Sequence, residues 1–584
     1  KEEDTPGKGR APLLHPRPDL DTPYAAPRTE LEKGLVGIWQ KFFGFEKIGI
    51  HDDFFQLGGD SLKAMTASAN IHKELNVKIP IAEFFKRSTV SGIAKYLEKD
   101  RQTDRCLLGP AEKKEYYPLS SAQKGLYVLH EMWGDTCVYN EFVPILLEKD
   151  IHEGTLEEIF RVLIKRHESL KTSFLTVDGI PVQKVHEKVE LEIECFDVDR
   201  EGADEIIGRF RRPFDLSEAP LMRVGLIETN ETRNILLIDM HHIIIDGLST
   251  HIFEREFFTL CRGEGGEGDP LTELKLQYKD FAQWQNSRDR QGALKSKEAY
   301  WMNIFQGELP ILDLPTDYPR PTIENFAGDS VRFEIGEELT ARVKAFALET
   351  DTTLFMVLLA AYNTLLSKYT MREDILVGSP IAGRTHPDLS NVIGMFVNML
   401  ALRNYPRAGG TFGEFLGEVK KNVLNAYENQ EYPFDSLVAK LNLESRVNRQ
   451  PLVDTVFVFL NIDVYSQNNT GHRKMELEVK PYELKVTKYD LELGAGETGN
   501  KMWCDLSYRT KLFKRETIER MSRHFIKIID EAVTHPGINL SDINMMSEEE
   551  LEDLKENMRN DNSAVTIKEQ GQNPPSKAAA DFDF

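Results

Sequence analysis

Several functions need features that this chain lacks. No stretch reaches the ~18 consecutive apolar residues of a membrane-spanning helix, and the opening KEEDTPGKGR has no apolar core of a signal peptide. The expectation is a soluble, cytoplasmic chain that is not exported. Cysteine is scarce. Cys106, Cys137, Cys195, Cys261 and Cys504 are scattered, odd in number and free of any C-x-x-C pair, so neither a disulfide frame nor a thiolate zinc site is signalled. Positive charge is in deficit as well: Lys and Arg number 72 against 95 Asp and Glu, a net charge of -23. Phosphate backbones and anionic lipid carry the same sign, which makes nucleic acid and membrane poor partners.

What remains is an ordinary globular composition, 41% apolar and 29% charged, in a chain of 584 residues. That length exceeds one hydrophobic core, and at roughly 150 residues per domain it allows three or four core-sized units. Residues 1–28, rich in Pro, Asp and Lys, read as a linker. From Thr29 the apolar residues Leu31, Leu35, Ile38, Trp39 and Phe42 recur at helical spacing, and Gly44 can stop that helix. A loop leads to Ser61, which opens a second helix; Pro80 starts a short third, and Ser88 is expected to cap a fourth. Residues 29–98 thus form a small all-α bundle.

Residues 99–115 are charged and unpatterned, and read as a tether with no apolar anchor. From Tyr116 strands alternate with amphipathic helices. PVQKVHEKVELEIECFDV and NILLIDMHHII read as strands, LEEIFRVLIKRHESL and HIFEREFFTLC as helices. LPTDYPRP (314–321) interrupts the pattern before a second alternation begins at VRFEI. An α/β domain of two lobes is expected, 116–300 and 301–540, followed by a polar tail over 541–584.

Two motifs carry chemistry. In Leu57-Gly58-Gly59-Asp60-Ser61-Leu62 two glycines permit a tight turn, and the serine falls at the first turn of a helix. A plain N-cap accounts for such a serine; so does a phosphodiester on its hydroxyl, which the positive end of a helix dipole favours by ~0.3–1 kcal/mol. The stretch DDFFQLGGDSLKAM resembles carrier domains of the peptidyl type, in which this serine bears 4'-phosphopantetheine. That resemblance covers residues 29–98 and implies an aminoacyl or peptidyl thioester on an arm at Ser61. Gly-Gly-His-Ser is the form associated with carriers that feed condensation domains. Asp60 instead matches the form frequent before epimerization domains.

The second motif is His241-His242-Ile243-Ile244-Ile245-Asp246-Gly247, between a strand and a helix. Adjacent histidines on an extended segment diverge, so one at most faces a given cleft, and the divergence also disfavours a zinc pair. A packed histidine pair with an Asp-Gly turn is the structural alternative. H-H-x-x-x-D-G resembles the signature of condensation domains and their chloramphenicol-acetyltransferase-like relatives. The resemblance implies a catalytic constellation of His241, His242, Asp246 and Gly247. His242 is its active residue, Asp246 pairs with an arginine to hold the loop, and Gly247 leaves room for the arm and substrate. Arg384, in Ser379-Pro380-Ile381-Ala382-Gly383-Arg384, is the candidate partner of Asp246.

Five further segments resemble the same family in its order: Tyr117–Gln123, Arg166–Phe174, Tyr278–Trp284, Ile393–Asn398 and Asn429–Asp435. A seventh motif is only loosely matched by Asn448–Leu452, and Lys124-Gly125 stands where Gln-Arg is more usual. The implied fold is a four-helix carrier bundle followed by a two-lobed α/β condensation domain with a tunnel between the lobes. The implied partners are an upstream adenylation domain, downstream adenylation and acceptor carrier domains, a phosphopantetheinyl transferase, and aminoacyl and peptidyl thioesters. An epimerization domain shares the histidine signature, and Asp60 fits it; Gly394–Met399 resembles the condensation form. A non-catalytic condensation-like domain that recruits other enzymes would be expected to carry a decayed signature.

Overall fold

The computed structural model describes residues 15–552 except single residues, among them Asp60, and short stretches, the longer being 100–107, 198–201, 229–232, 264–270, 444–447 and 461–485. The first half of the tether and the tail from 553 therefore lie outside the described residues.

The carrier bundle consists of α1 (Glu30–Phe43), α2 (Ser61–Leu75), α3 (Ile81–Lys86) and α4 (Val90–Lys99). Thr29 and Glu32 close a capping box at the start of α1, and Gly44 ends it with φ 72. The apolar stripe of α1 buries Leu35 and Trp39 against Phe54 and Phe84, all fully enclosed. Two expectations are corrected here. Thr89, not Ser88, caps α4: its hydroxyl accepts from Gly92 N–H at 3.1 Å, while the Ser88 hydroxyl donates to Asp53. Residues 15–28 are also not a free linker, because Arg17 pairs with the buried Asp52 at 2.6 Å and Leu20 and Ala25 pack on the bundle.

The N-terminal lobe holds β1 (Tyr117–Pro118), β2 (Asn140–Glu148), β3 (Thr172–Val177), β4 (Ile180–Val185), β5 (Ile193–Asp197), β6 (Met222–Glu228) and β7 (Arg233–His241). Its helices are α5 (Ser121–Trp133), α6 (Glu153–Arg166), α7 (Ala203–Phe210), α8 (Gly247–Cys261) and α9 (Tyr278–Arg290). The main sheet runs β2-β7-β6-β5, and a small sheet β1-β4-β3 lies beside it. Phe160 of α6 meets Phe253 and Phe257 of α8, which seals the core.

The C-terminal lobe begins with α10 (Lys295–Ile304) and contains β8 (Gly328–Ile335), α11 (Glu337–Glu349), α12 (Leu354–Thr370), β9 (Ile375–Ile381), β10 (Asn398–Asn404), α13 (Phe412–Glu428) and α14 (Phe434–Leu441). It closes with β11 (Thr455–Leu460), β12 (Leu491–Thr498), β13 (Lys501–Arg509) and α15 (Arg515–Thr534). Its six strands run β10-β9-β11-β12-β13-β8, with β11 parallel to both neighbours. Helix α12 is buried from Phe355 through Leu366, as its nearly unbroken apolar sequence requires.

Three boundaries differ from the sequence expectation. The lobes exchange between Arg290 and Lys295, since Tyr278 and Phe281 pack in the first core and Trp301 and Phe305 in the second. The second lobe runs past 540, where Ile543 is still buried. The end of the tether is anchored: Leu108 packs on the N-terminal lobe, and Ala111 N–H donates to Asp280 at 2.9 Å. The carrier itself rests its α3 on α13 of the second lobe. Among the described residues no single helix is long and apolar enough to cross a membrane.

One connection decides the site. Between β9 and β10 the chain leaves its own lobe, and Leu389, Val392, Ile393 and Phe396 enter the core of the other. Gly383 permits the exit: its φ is +63, and a Cβ there would lie 1.9 Å from the carbonyl oxygen of Phe396.

Candidate active site

Strand β7 ends on His241, and its backbone then turns. His241 N–H donates to Leu221 O on one side at 3.0 Å, while His242 N–H donates to Tyr139 O on the other at 2.7 Å. The two rings part at that turn, so an extended segment is not what separates them. His241 is buried against Phe214 and His130, and its Nδ1 accepts from Ile243 N–H at 3.1 Å. Burial, with the neighbouring His130, lowers its pKa to about 3, so it is a neutral packing residue. The structure therefore places His241 away from the cavity that His242 and Gly247 line, and does not bring it together with them there.

His242 lines a cavity of about 1590 Å³ between the lobes. Its Nδ1–H donates to Ile245 O at 2.7 Å, because a carbonyl oxygen can only accept. That bond fixes the tautomer and leaves the Nε2 lone pair facing the cavity, 3.3 Å from Glu141 Oε1. Burial and Lys488 push the His242 pKa below its ordinary value against the opposing pull of Glu141. The ring is therefore an uncharged base at neutral pH.

Asp246 does not line the cavity. It caps α8, accepting from Ser249 N–H at 2.7 Å, and receives both terminal nitrogens of Arg384 at 3.0 and 3.2 Å and Phe396 N–H at 2.9 Å. Burial opposes its charge, yet Arg384 and the hydrogen bonds from Ser249 together hold the carboxyl below the usual range. Arg384 also reaches Ser249 Oγ and Val392 O, and its guanidinium lies 4.2 Å from the ring centre of Phe396. The ion pair expected from the sequence is thus present, and it nails the 382–397 connection to the histidine turn. Gly247, the first residue of α8, lines the cavity; a Cβ there would meet no protein atom within 4 Å.

The remaining motifs fasten the segment from Ile393 to Asn398. Tyr278 OH joins Ser120 Oγ at 2.7 Å and donates to Met395 O. Ser169 donates to Ile393 O at 2.6 Å, and Asn398 Nδ2 reaches Gln430 O and Tyr432 O at 2.8 and 2.9 Å. From the loosely matched seventh motif, Arg449 faces the cavity and pairs with Asp454 at 2.7 Å. Glu141, Lys488 and Glu492 line the cavity near His242 and were missed. The available signal was a charged residue, Glu141, near the start of the otherwise apolar strand NEFVPILLE.

In the carrier, Ser61 is the first residue of α2. Gly58 has φ +92, and a Cβ on Gly59 would lie 2.2 Å from the Phe54 ring, so both glycines are demanded by the loop. The loop thereby delivers residue 61 to a helix N-terminus of fifteen residues, a setting that fits a phosphodiester.

Comparison with known proteins agrees with this geometry. The family described as "Condensation domain" matches residues 113–555, and the "Phosphopantetheine attachment site" family matches residues 33–97. Tyrocidine synthase 3 of Brevibacillus parabrevis is 45% identical over 96% of this chain, and gramicidin S synthase 2 of Brevibacillus brevis is 45% identical over 92%. The chain spans 9% and 12% of those relatives' lengths. In fold it is similar to the X-domain from teicoplanin biosynthesis, at TM-score 0.68 and 21% identity over 75% of this chain and 100% of that one. It is also similar to the first condensation domain of the CDA synthetase, at 0.57 and 16% over 75% and 100%. The chain belongs to the condensation-domain family of nonribosomal peptide synthesis, an amide-forming transferase domain preceded by a domain that carries covalent 4'-phosphopantetheine.

Proposed function

We propose that Ser61 bears the arm, that the chain transfers the acyl group held there to the amine of a downstream aminoacyl thioester, and that His242 serves this step from the cavity. The arm supplies a thiol to which the donor acyl group is held as a thioester. The observation that carries the reading is the pinned ring of His242, whose Nδ1–H is spent on Ile245 O and whose Nε2 is left to the cavity. A nitrogen placed between Nε2 and the donor carbonyl can give a proton to the ring and so free the lone pair that forms the new bond. Both substrates are held in one cavity, which makes the encounter effectively unimolecular. Asp246, away from the cavity, positions the turn through Arg384. Because the carrier precedes the condensation domain, it is the donor. An upstream adenylation domain loads it after a phosphopantetheinyl transferase has attached the arm, and a downstream adenylation and carrier pair presents the acceptor.

The test is to load the carrier with peptidyl-pantetheine, add an aminoacyl acceptor carrier and identify the product by mass spectrometry. The extended peptide is expected on the acceptor. Deuterium uptake at the donor's α-carbon from heavy water, with no peptide extension, would replace this reading with epimerization, and neither product would leave a recruiting domain. Ser61→Ala is expected to take up no pantetheine mass from coenzyme A.

A further inference from the structure

His242 does not face the cavity alone. Strand β2 lies in register with β7 so that Asn140 is opposite His241 and Glu141 opposite Met240. Tyr139, just before the strand, gives its carbonyl to His242 N–H. The Glu141 carboxylate is thereby set 3.3 Å from Nε2, at the cavity wall. With Nδ1 carrying the ring proton, the neutral imidazole offers Nε2 only as an acceptor, and the carboxylate also only accepts. Two acceptors side by side, both open to the same cavity, form a seat for a group that brings several N–H donors and a positive charge. Burial works against the charge of Glu141, but Lys488, together with His242 once its ring gains a second proton, helps to hold the carboxyl below its ordinary range. Asp246 and Arg211 also act on it, with opposite signs. Glu492, pushed up by burial against the opposing pull of Lys488, lines the same cavity.

We propose that Glu141 Oε1 and His242 Nε2 together seat the α-ammonium of the acceptor, so that Glu141 is a further catalytic residue that recognises the charged amine. The proposal deepens the reading of His242 given above and rests on it. The acceptor amine has an α-amino pKa near ~8, so at neutral pH it arrives mainly as ammonium and cannot attack. One ammonium proton passes to Nε2, and the resulting imidazolium is paired with the Glu141 carboxylate. The freed lone pair forms the C–N bond as the donor's C–S bond breaks. The nitrogen sheds its second proton, which ends on the departing thiolate as a thiol. The imidazolium returns its proton to solvent, so the step balances as thioester plus ammonium giving amide, thiol and one released proton.

The test uses the whole carrier–condensation chain with peptidyl-loaded Ser61 and two soluble probes. One is an aminoacyl-pantetheine thioester; the other is its α-hydroxyacyl counterpart, alike except for a neutral hydroxyl in place of the ammonium. The parent is expected to bind the ammonium probe at least tenfold better than the hydroxyl probe, read as KM against inhibition constant. In Glu141→Gln that preference should collapse, with the acceptor KM rising about ten- to a hundredfold, the scale of one charge-assisted hydrogen bond. Its rate should climb back towards the parent's as pH is raised through the amine pKa, and Glu141→Asp should keep part of the preference. His242→Ala should lose rate while keeping most of the preference. An unchanged preference and pH profile in Glu141→Gln overturns the seat while leaving His242 standing, whereas a parental rate in His242→Ala overturns the histidine reading instead. If Glu141→Gln does not fold, the parent alone decides: no preference for the ammonium probe overturns the proposal.

Discussion

The same seven-residue turn makes one buried ion pair, Asp246 with Arg384, and one histidine–carboxylate contact at the cavity wall, His242 with Glu141, and the two differ in how their acceptor atoms are used. Asp246 takes both terminal nitrogens of Arg384 and two backbone N–H groups, one from its own helix and one from the opposite lobe. Both of its oxygens are engaged. His242 has one ring nitrogen committed to Ile245 O, while its other nitrogen and the Glu141 carboxylate look into open cavity. A carboxylate engaged on both oxygens holds shape, since removing its cation leaves an orphaned charge; acceptors left open to a cavity keep the capacity to bind and to move a proton. Asp435 is a third case. Its carboxyl faces no cation among the described residues, and burial lifts its pKa to about 7. It abuts Gly125, where a Cβ would lie 2.3 Å from Oδ1, at the position where arginine is more usual in the family.

The largest effect expected is on rate. His242→Ala should slow single-turnover condensation by ~10²–10⁴-fold with a parental melting temperature, since the ring supports chemistry and not the fold. Equal loss of stability would erase the distinction between the pairs. Arg384→Ala should cost ~3–5 kcal/mol in chemical denaturation, because it strands the Asp246 carboxylate in the core. Here activity and melting temperature should fall together, and a folded, stable variant would show the pair to be dispensable.

Asp435 sharpens the contrast through pH. A carboxyl whose folded pKa is raised binds more protons folded than unfolded between about 4 and 7, so its contribution is present at low pH and lost as pH rises through that window. Asp435→Asn should flatten this part of the stability curve and leave the parent the less stable protein at pH 8, measured by urea midpoints at several pH values. Mutation of Asp246, whose pKa is lowered, should act in the opposite sense, at the acid end. The smallest effect on stability is expected at Gly247. Gly247→Ala adds a Cβ into cavity and not into protein, so the fold should be unchanged or steadier by ~0.5–1 kcal/mol, as alanine is in a helix. Condensation with bulky acceptors should nevertheless slow, read by comparing small and large acceptor side chains.

Much of the carrier was legible because its signals are local. The Thr29–Glu32 box, the stop at Gly44 and the helix opening at Ser61 each depend on a few consecutive residues. The error at Ser88 shows how close that margin is: Thr89, one position on, makes the cap, and Ser88 serves Asp53 in another part of the loop. In the larger domain the alternation of strands and helices could be read, and family resemblance brought Arg384 and Asp246 together across 138 positions. Periodicity alone could not have done so.

The sequence by itself determined the carrier bundle, the glycine loop before Ser61, the two α/β lobes and the histidine turn, since helical and strand periodicity and turn chemistry are properties of neighbouring residues. Only the tertiary structure decided that residues 389–396 lie in the core of the first lobe, that His241 packs while His242 faces the cavity, and that Glu141 stands beside it. Each of these depends on strand register and on contacts between segments about a hundred residues apart. Such pairings are selected by the packing of whole surfaces, and no local pattern records them.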